Sequence, residues 1–308
     1  MRRLALLMVV VAGLTAQGPP ELSKPPADSE NARIQVEVNR VNVLCTVTDK
    51  KGRFITDLTK GDFAVLENKQ PQSIIEFSAE SDLPLRLAIL IDTSNSVRDR
   101  FRFIQEAAVE FVNSVMRPGQ DKAMVVSFDT SAELVSDMSD DPNKLAGLIR
   151  DLRPGGGTAL FDAIYFASRE KLVAEQPRDK FRRAIVILSD GDDNQSQMSR
   201  DQALEMAQKA DTVIYTISTN ITRIETDGDK VLKYLSSETG GQAFFPFKVE
   251  DLSQSFENIA SELRHQYNIY YRPERMKRDG SYQAITLLVR LRKDLVVRAR
   301  KGYYAPKM

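Results

Sequence analysis

The chain has few of the residues that most catalytic sites and disulfide-stabilised folds depend on. Its 308 residues include one cysteine, Cys45, and one histidine, His265. A lone cysteine excludes an intrachain disulfide, and a lone histidine weakens any mechanism that needs histidine as a base or a metal ligand. Lys and Arg together number 43 and so do Asp and Glu, so the overall charge does not indicate a polyanionic partner.

Long apolar runs are also scarce, and the run near the start is short. Two basic residues precede the apolar segment from Leu4 to Leu14, which is too short to span a bilayer as a helix. We interpret residues 1–16 as a signal peptide cleaved near Ala16, and residues 17–32 as a disordered leader. The mature protein is therefore expected to be secreted or periplasmic, without stable membrane insertion. Retention of the segment as an anchor stays open.

Hydrophobic periodicity divides the rest of the chain into three segments. Residues 33–82 and 268–308 contain short alternating strands, whereas residues 83–267 alternate buried strands with helices, including helical spacing over 97–115 and 160–173. This order predicts an α/β fold with a doubly wound, mainly parallel sheet. Neither β segment is large enough to fold well alone, so we expect both to pair into one small β-sandwich that carries the α/β domain as an insertion.

Three loops of the α/β segment carry oxygen ligands. One follows a buried strand at Asp92, one is the glycine-rich stretch before Thr158, and one follows another strand at Asp190. Ligand sites in open α/β sheets form at the carboxyl ends of the strands, near the switch in strand order. Carboxylate and hydroxyl oxygens suit Mg²⁺, with Mn²⁺ and Ca²⁺ also open. The predicted ligands are Asp92, Ser94, Ser96, Thr158 and Asp190.

The pattern Asp92-x-Ser94-x-Ser96, followed by Thr158 and Asp190, resembles the metal-ion-dependent adhesion site of von Willebrand factor A domains. That family, which includes integrin inserted domains, has this α/β fold and commonly binds protein ligands through the metal. The resemblance covers about Leu85 to Tyr267. It implies a non-enzymatic adhesion or assembly module whose cation takes an exposed Asp or Glu of a protein ligand.

The whole chain also resembles a narrower family of secreted bacterial proteins with a related domain. The likeness supports the architecture more than a role. The shared features are Val47-x-Asp49-x-x-Gly52, Leu58-x-x-x-Asp62-Phe63, the segment from Gly156 to Ala163, and the closing Gly302-Tyr303-Tyr304.

Polar residues beside the predicted metal loops are candidates for the rim that contacts the partner. Asp162 is expected to stabilise its helix N-terminus or the metal loop instead of ligating the cation. A second function stays open, in which the protein is a structural component of an extracytoplasmic envelope assembly and the metal only stabilises loops. The candidate rim residues are Asn95, Asp192, Asp193 and Asn194.

Other chemistries lack a necessary residue. The acidic stretch after Asp190 is not an EF-hand, because Gln195 and Asp201 stand where that loop needs Gly and Glu. The glycine-rich stretch lacks the lysine of a phosphate-binding loop. Neither catalysis nor nucleic-acid binding is expected, and the basic residues near the end should form a solvated face or protect a sheet edge. These are Arg290, Arg292, Lys293, Arg298, Arg300 and Lys301.

Overall fold

The computed structural model describes residues 40–79, 83–175, 180–220, 224–246, 249–290, 292 and 294–307. The expected signal peptide, the leader and the strand pattern at 34–38 lie outside the described residues. In the part that is described, no helix is both long enough and apolar enough to cross a membrane.

The described chain opens with four strands, of which the first half of the first and the whole of the second alternate buried and half-buried residues. In the first of them Val43 and Cys45 face the interior, while Asn42 and Leu44 are half-buried on the other face. Asn68 and Lys69 join the second strand to the third with positive φ angles of 47° and 68°, as a tight two-residue hairpin requires. The strands are β1 (Val41–Thr48), β2 (Phe63–Glu67), β3 (Gln70–Gln72) and β4 (Ile74–Ser78).

The α/β segment follows, and its inner strands are apolar almost throughout because both faces of the sheet are covered. Its elements are β5 (Leu85–Asp92), α1 (Phe101–Val115), β6 (Lys122–Phe128), β7 (Ala132–Ser139), α2 (Pro142–Asp151), α3 (Leu160–Phe166), β8 (Arg182–Ser189), α4 (Arg200–Lys209), β9 (Thr212–Ser218), α5 (Asp227–Thr239), β10 (Ala243–Phe244) and α6 (Val249–Arg264). Four strands close the described chain: β11 (Tyr267–Tyr271), β12 (Tyr282–Val289), β13 (Val296–Ala299) and β14 (Gly302–Tyr304).

The central sheet has six strands in the order β10-β9-β8-β5-β6-β7. All neighbouring pairs are parallel except β6 and β7. From β5 the chain builds outwards in one direction through β6 and in the other through β8, β9 and β10. Helices α1, α2 and α6 cover one face of this sheet, and α3, α4 and α5 cover the other. The expected doubly wound, mainly parallel α/β sheet is therefore confirmed.

The two ends of the chain form two packed antiparallel sheets, β13-β1-β11-β4 and β14-β12-β2-β3. Strand β1 pairs with the closing strands β11 and β13, setting Val43 opposite Ile269 and Cys45 opposite Ala299. Strand β2 likewise pairs with β12 across the sequence. One apolar core joins both sheets and draws on strands from each end. The expected β-sandwich, with the α/β domain inserted between its halves, is confirmed, while the exact domain boundaries stay a prediction.

Local details differ from the sequence patterns. Strand β7 was not predicted, because it is an edge strand in which only Ser136 is buried, so its alternation is weak. The segment 160–173 is not one regular helix. After α3 it continues through a π-type turn over Ala167–Lys171 and a 3₁₀ turn over Leu172–Ala174. The wider turn keeps Ala167 and Leu172, five residues apart, buried on the same face.

The basic residues near the end only partly follow the expectation of a solvated face or a protected sheet edge. Arg290 and Arg292 are exposed, whereas Arg298 and Arg300 are half-buried, and Lys293 lies outside the described residues. Arg298 of β13 pairs with buried Glu262 of α6 at 2.6 Å, and Arg300 pairs with Asp211 at 3.0 Å. Lys301 pairs with Glu238 at the end of α5. One face of this sheet lies against the α/β domain, and the three cations form ion pairs with carboxylates there. Alternation along a strand does not reveal such a contact.

A tyrosine links the two halves of the sandwich and gives a test of their pairing. The hydroxyl of Tyr267 donates to the Ile55 carbonyl at 2.8 Å and accepts from the buried Leu58 amide at 3.1 Å. Tyr267→Phe should lower the free energy of unfolding by about 1–2 kcal/mol, because a buried amide loses its acceptor. Tyr282→Phe, at an exposed tyrosine, is the matched control. Urea denaturation that finds equal losses for both variants would contradict the pairing.

Candidate metal site

The candidate site lies where the central sheet reverses its strand order. Strand β5 ends at Asp92 and its neighbour β8 ends at Ser189, with Asp190 immediately after it. Both strands are buried along their whole length, so their carboxyl ends are held rigidly side by side. This is the switch point at which open α/β sheets bind ligands, because loops from adjacent strands separate there and leave a crevice.

Backbone hydrogen bonds join the loop after β5 to the glycine-rich loop. The amide of Gly155 donates to the Thr93 carbonyl at 2.6 Å, and the amide of Asn95 donates to the Gly156 carbonyl at 3.2 Å. Gly156 has a positive φ of 74°, which a glycine adopts without strain. These contacts fix the loop that carries Ser94 and Ser96 beside the loop that ends at Thr158.

The glycine-rich loop is joined in turn to the loop after β8. The side-chain oxygen of Asn194 accepts from the Thr158 amide at 3.0 Å. The Thr158 carbonyl accepts from the amides of Asn194 and Gln195, both at 3.0 Å. Together with the contact between Ser189 and Asp92 described next, these bonds tie each of the three loops to the other two. The structure therefore brings the predicted ligand positions to one place.

Asp92 is the most deeply buried of the predicted ligands and has no exposed surface. Its carboxylate accepts from the Ser189 hydroxyl at 2.6 Å and from the Ser94 amide at 2.9 Å. Burial raises the pKa of Asp92 to about 6, opposed by these hydrogen bonds and assisted by the nearby charge of Asp190. Among the described residues no Lys, Arg or His forms an ion pair with it, so a cation would offset the cost of burying this charge.

The hydroxyl ligands differ in exposure. Ser94 and Thr158 are buried, whereas Ser96 is exposed. The hydroxyl oxygens of Ser94 and Ser96 lie 2.8 Å apart, close enough to face one ion. Asp190 is half-buried, and its carboxylate accepts from the Asp192 amide at 3.2 Å. The predicted ligands thus range from the fully buried carboxylate of Asp92, through the half-buried carboxylate of Asp190, to the exposed Ser96.

A close approach of two backbones sets the position of Asp190. Gly191 has a φ of 85°, and a Cβ placed on it would overlap the carbonyl oxygen of Gly228 in the first turn of α5. A Cβ on Gly228 would likewise overlap the carbonyl oxygen of Asp190. Only glycine at both positions allows this contact, so α5 supports the loop that carries Asp190.

The acidic residues around the site have separate structural tasks. Asp162 accepts from the amides of Gln197 and Met198 at 3.1 and 2.8 Å, so it holds the loop after β8. Asp193 accepts from the Phe161 amide at the start of α3 and from the Ser196 hydroxyl. Of the four predicted rim residues, Asn95, Asp192 and Asn194 are exposed and Asp193 is half-buried. The side chains of Asp193 and Asn194 accept hydrogen bonds from other residues of the chain. Contact between the rim residues and a partner stays a prediction.

Sequence reasoning missed two residues that organise the site. Ser189 holds the Asp92 carboxylate, and its hydroxyl also accepts from the Gly191 amide at 3.0 Å. Thr130, in the loop after β6, accepts from the Gly157 amide at 3.2 Å. A hydroxyl residue at the end of a buried strand, next to a predicted ligand, was the available signal for Ser189. No comparable signal pointed to Thr130, because its contact depends on tertiary packing.

The residues fit a hard divalent cation. In the described ranges no three His, Cys, Asp or Glu side chains form a metal-binding group. The predicted set instead combines two carboxylates with three hydroxyls, and oxygen donors of this kind suit Mg²⁺, which retains several waters in most protein sites. The arrangement therefore offers oxygen donors to a divalent cation.

Comparisons with known proteins agree with the α/β fold. Residues 87–192 match the family model of the von Willebrand factor type A domain. The human von Willebrand factor A domain-containing protein 3B is 27% identical over 162 residues, which are 51% of this chain and 11% of the human protein. The chain thus spans about a tenth of that relative.

Two solved structures share the fold. A von Willebrand factor type A protein from Catenulispora acidiphila has a TM-score of 0.51 at 14% identity, covering 80% of this chain and 74% of that one. Proximal thread matrix protein 1 from the mussel byssus, with a zinc-occupied metal-ion-dependent adhesion site (MIDAS) motif, has a TM-score of 0.50 at 19% identity. The match covers 64% of this chain and 49% of the mussel protein chain. At these identities the likeness shows the fold alone.

The contact between Gly191 and Gly228 can be tested by adding a methyl group. Gly191→Ala should lower the free energy of unfolding by about 2–3 kcal/mol, because alanine is strained at this φ and collides with backbone. Gly155→Ala is the matched control, since a Cβ there meets nothing within 4 Å. Equal melting temperatures for Gly191→Ala and the parent protein would contradict the close approach.

Proposed function

Because this chain contains a von Willebrand factor type A domain, we propose that it is a non-enzymatic protein-binding module. In this proposal it is secreted or periplasmic and recognises a partner through one bound divalent cation. Its role is adhesion or assembly. The partner supplies an exposed Asp or Glu that completes the coordination shell of the cation.

One observation supports this proposal above the others. The carboxylate of Asp92 is sealed at the end of β5, and its described partners are the Ser189 hydroxyl and the Ser94 amide, both uncharged. A buried carboxylate is costly unless it is paired with a cation or coordinates a metal. The half-buried Asp190 is close enough to raise the pKa of Asp92 further. Two neighbouring acids, with no Lys, Arg or His paired to Asp92 among the described residues, favour a bound cation.

The proposed ligands are Asp92, Ser94, Ser96, Thr158 and Asp190. Mg²⁺ is the preferred occupant because every donor is oxygen and two of them are carboxylates, while Mn²⁺ and Ca²⁺ also accept such donors. The mussel protein with a zinc-occupied MIDAS motif supports the general expectation of a divalent ion on this fold. The exposure of Ser96 leaves a route by which an outside carboxylate can reach the ion.

The metal site predicts a thermal stabilisation by divalent ions. At millimolar Mg²⁺, Mn²⁺ or Ca²⁺ the melting temperature should rise by about 5 °C over the value in EDTA, because an ion that binds only the folded state stabilises it by mass action. Asp92→Ala should abolish this rise. Asp140→Ala, which removes an exposed carboxylate away from the site, is the matched control and should keep it.

The role of Ser189 gives a finer test of the same site. Ser189→Ala should weaken metal binding by about tenfold, because residues that orient a ligating carboxylate tune its affinity for the ion. Isothermal titration with Mn²⁺ measures the dissociation constant. An unchanged constant would show that the Asp92 carboxylate does not need this hydroxyl for its orientation.

Partner capture separates the proposed function from the structural alternative. If the cation contacts the partner, then proteins retained from an envelope extract on the immobilised protein should be lost in EDTA and lost with Asp92→Ala. If the cation only stabilises loops within an assembly, chelation should lower the melting temperature while the retained proteins stay the same. Full retention in EDTA at a temperature well below the melt would exclude the metal-dependent mechanism.

A further inference from the structure

We propose that the partner presents a run of acidic residues, and that an arginine-lined groove beside the metal loop binds the acids that flank the metal-binding one. The groove lies between α1 and the C-terminal end of α2. This inference rests on the proposed function, because it assigns the chemistry of the partner that the metal site binds.

The groove is a built surface feature with a volume of about 980 Å³. Its apolar lining includes Phe101 and Val109 of α1, both buried. Gln105 joins its two walls, because its side-chain amide donates to the carbonyls of Ile149 and Arg150 at 2.9 and 3.0 Å. Gln105 therefore links the two walls of the groove directly.

The groove is lined by four arginines, Arg98, Arg102, Arg150 and Arg153, and by three carboxylates, Asp99, Glu106 and Glu110, so its lining is net positive. Within the described ranges Arg98, Arg150 and Arg153 form no ion pair with a carboxylate. Arg98 and Arg153 donate to an amide oxygen and to carbonyls, and Arg102 reaches Glu106 only at 4.0 Å. Guanidinium groups that lack a carboxylate are well suited to bind carboxylates of another chain, often through two parallel hydrogen bonds.

The groove is continuous with the proposed metal site. Arg98 donates to the side-chain oxygen of Asn95 at 2.7 Å and to the Pro154 carbonyl at 3.1 Å. Asn95 stands between the proposed ligands Ser94 and Ser96, and Pro154 directly precedes the glycine-rich loop. A segment that places one carboxylate on the cation would therefore meet Arg98 first and the other arginines next.

The distribution of charge limits how far the acidic run extends. Towards the far end of the groove α1 presents Glu106 and Glu110 instead of arginine. An extended chain advances about 3.3 Å per residue, and one helical turn of α1 is about 5.4 Å long. The acids that matter should thus lie within about four residues of the metal-binding one, and further acids would meet repulsion.

The test uses two immobilised peptides, since the natural partner is unidentified. One is a Gly-Ser peptide with a single central Glu, and the other has two Asp residues on each side of that Glu. Binding of the full chain is measured by biolayer interferometry in Mg²⁺, in Mn²⁺ and in EDTA. We expect the acidic peptide to bind about tenfold more tightly, as several partly exposed charge pairs together allow.

The double variant Arg150→Glu/Arg153→Glu should remove that preference while leaving the single-Glu peptide and the metal-dependent melt unchanged. Arg150→Gln/Arg153→Gln removes the charges without reversing them and should reduce the preference to about twofold or less. The matched control Lys50→Glu/Lys144→Glu changes the net charge equally at exposed lysines outside the groove, and should keep the preference.

Each outcome separates the two proposals. Equal affinities for both peptides, with metal-dependent binding of each, would overturn the groove and keep the metal-dependent function. Preferential binding that persists in EDTA and is lost in the arginine variants would keep the groove and overturn that function. Absence of binding by either peptide would overturn both.

Discussion

The buried carboxylate of Asp92 is the constraint on which the arrangement of the site depends. It ends the central strand of a sheet whose inner strands are apolar, so the charge lies at the border between the core and the surface. Burial of such a group is unfavourable without hydrogen bonds or a cation. The hydroxyl of Ser189 and the amide of Ser94 donate hydrogen bonds that offset part of this cost. The bond from Ser189 also ties the loop after β5 to the end of β8. The same contacts thus stabilise the buried carboxylate and hold the loops in position.

The support extends outward from this point through backbone contacts instead of long side chains. The paired glycines Gly191 and Gly228 let α5 approach the Asp190 loop, and the glycine-rich loop bonds directly to the backbone at Thr93 and Asn95. Backbone groups held by a rigid sheet are more exact in position than flexible side chains. A site built in this way keeps its ligand positions fixed while one side stays open to solvent at Ser96.

The β-sandwich is bound to the α/β domain by charge as well as by apolar packing. Arg298 meets Glu262 of α6, and Arg300 meets Asp211 just after α4. Burial raises the pKa of Glu262, with Arg298 opposing the shift, so this carboxylate depends on its partner across the boundary. Helix α6 also packs on α1, which lines the arginine groove. Direct contacts therefore connect the sandwich to α6, and α6 to α1.

The sequence by itself determined the fold class, the inserted arrangement and the positions at which candidate oxygen ligands follow buried strands, because periodicity and short motifs are local signals. It could not determine the irregular turns after α3 or the edge strand β7. Nor could it determine that Arg298 pairs with Glu262 and Arg300 with Asp211. Only the tertiary structure decided which loops are in contact and that the Ser189 hydroxyl donates to Asp92. It also decided that Arg98, Arg150 and Arg153 line one groove. Such contacts join residues far apart in the chain, and their geometry depends on how sheets and helices pack, which no local pattern records.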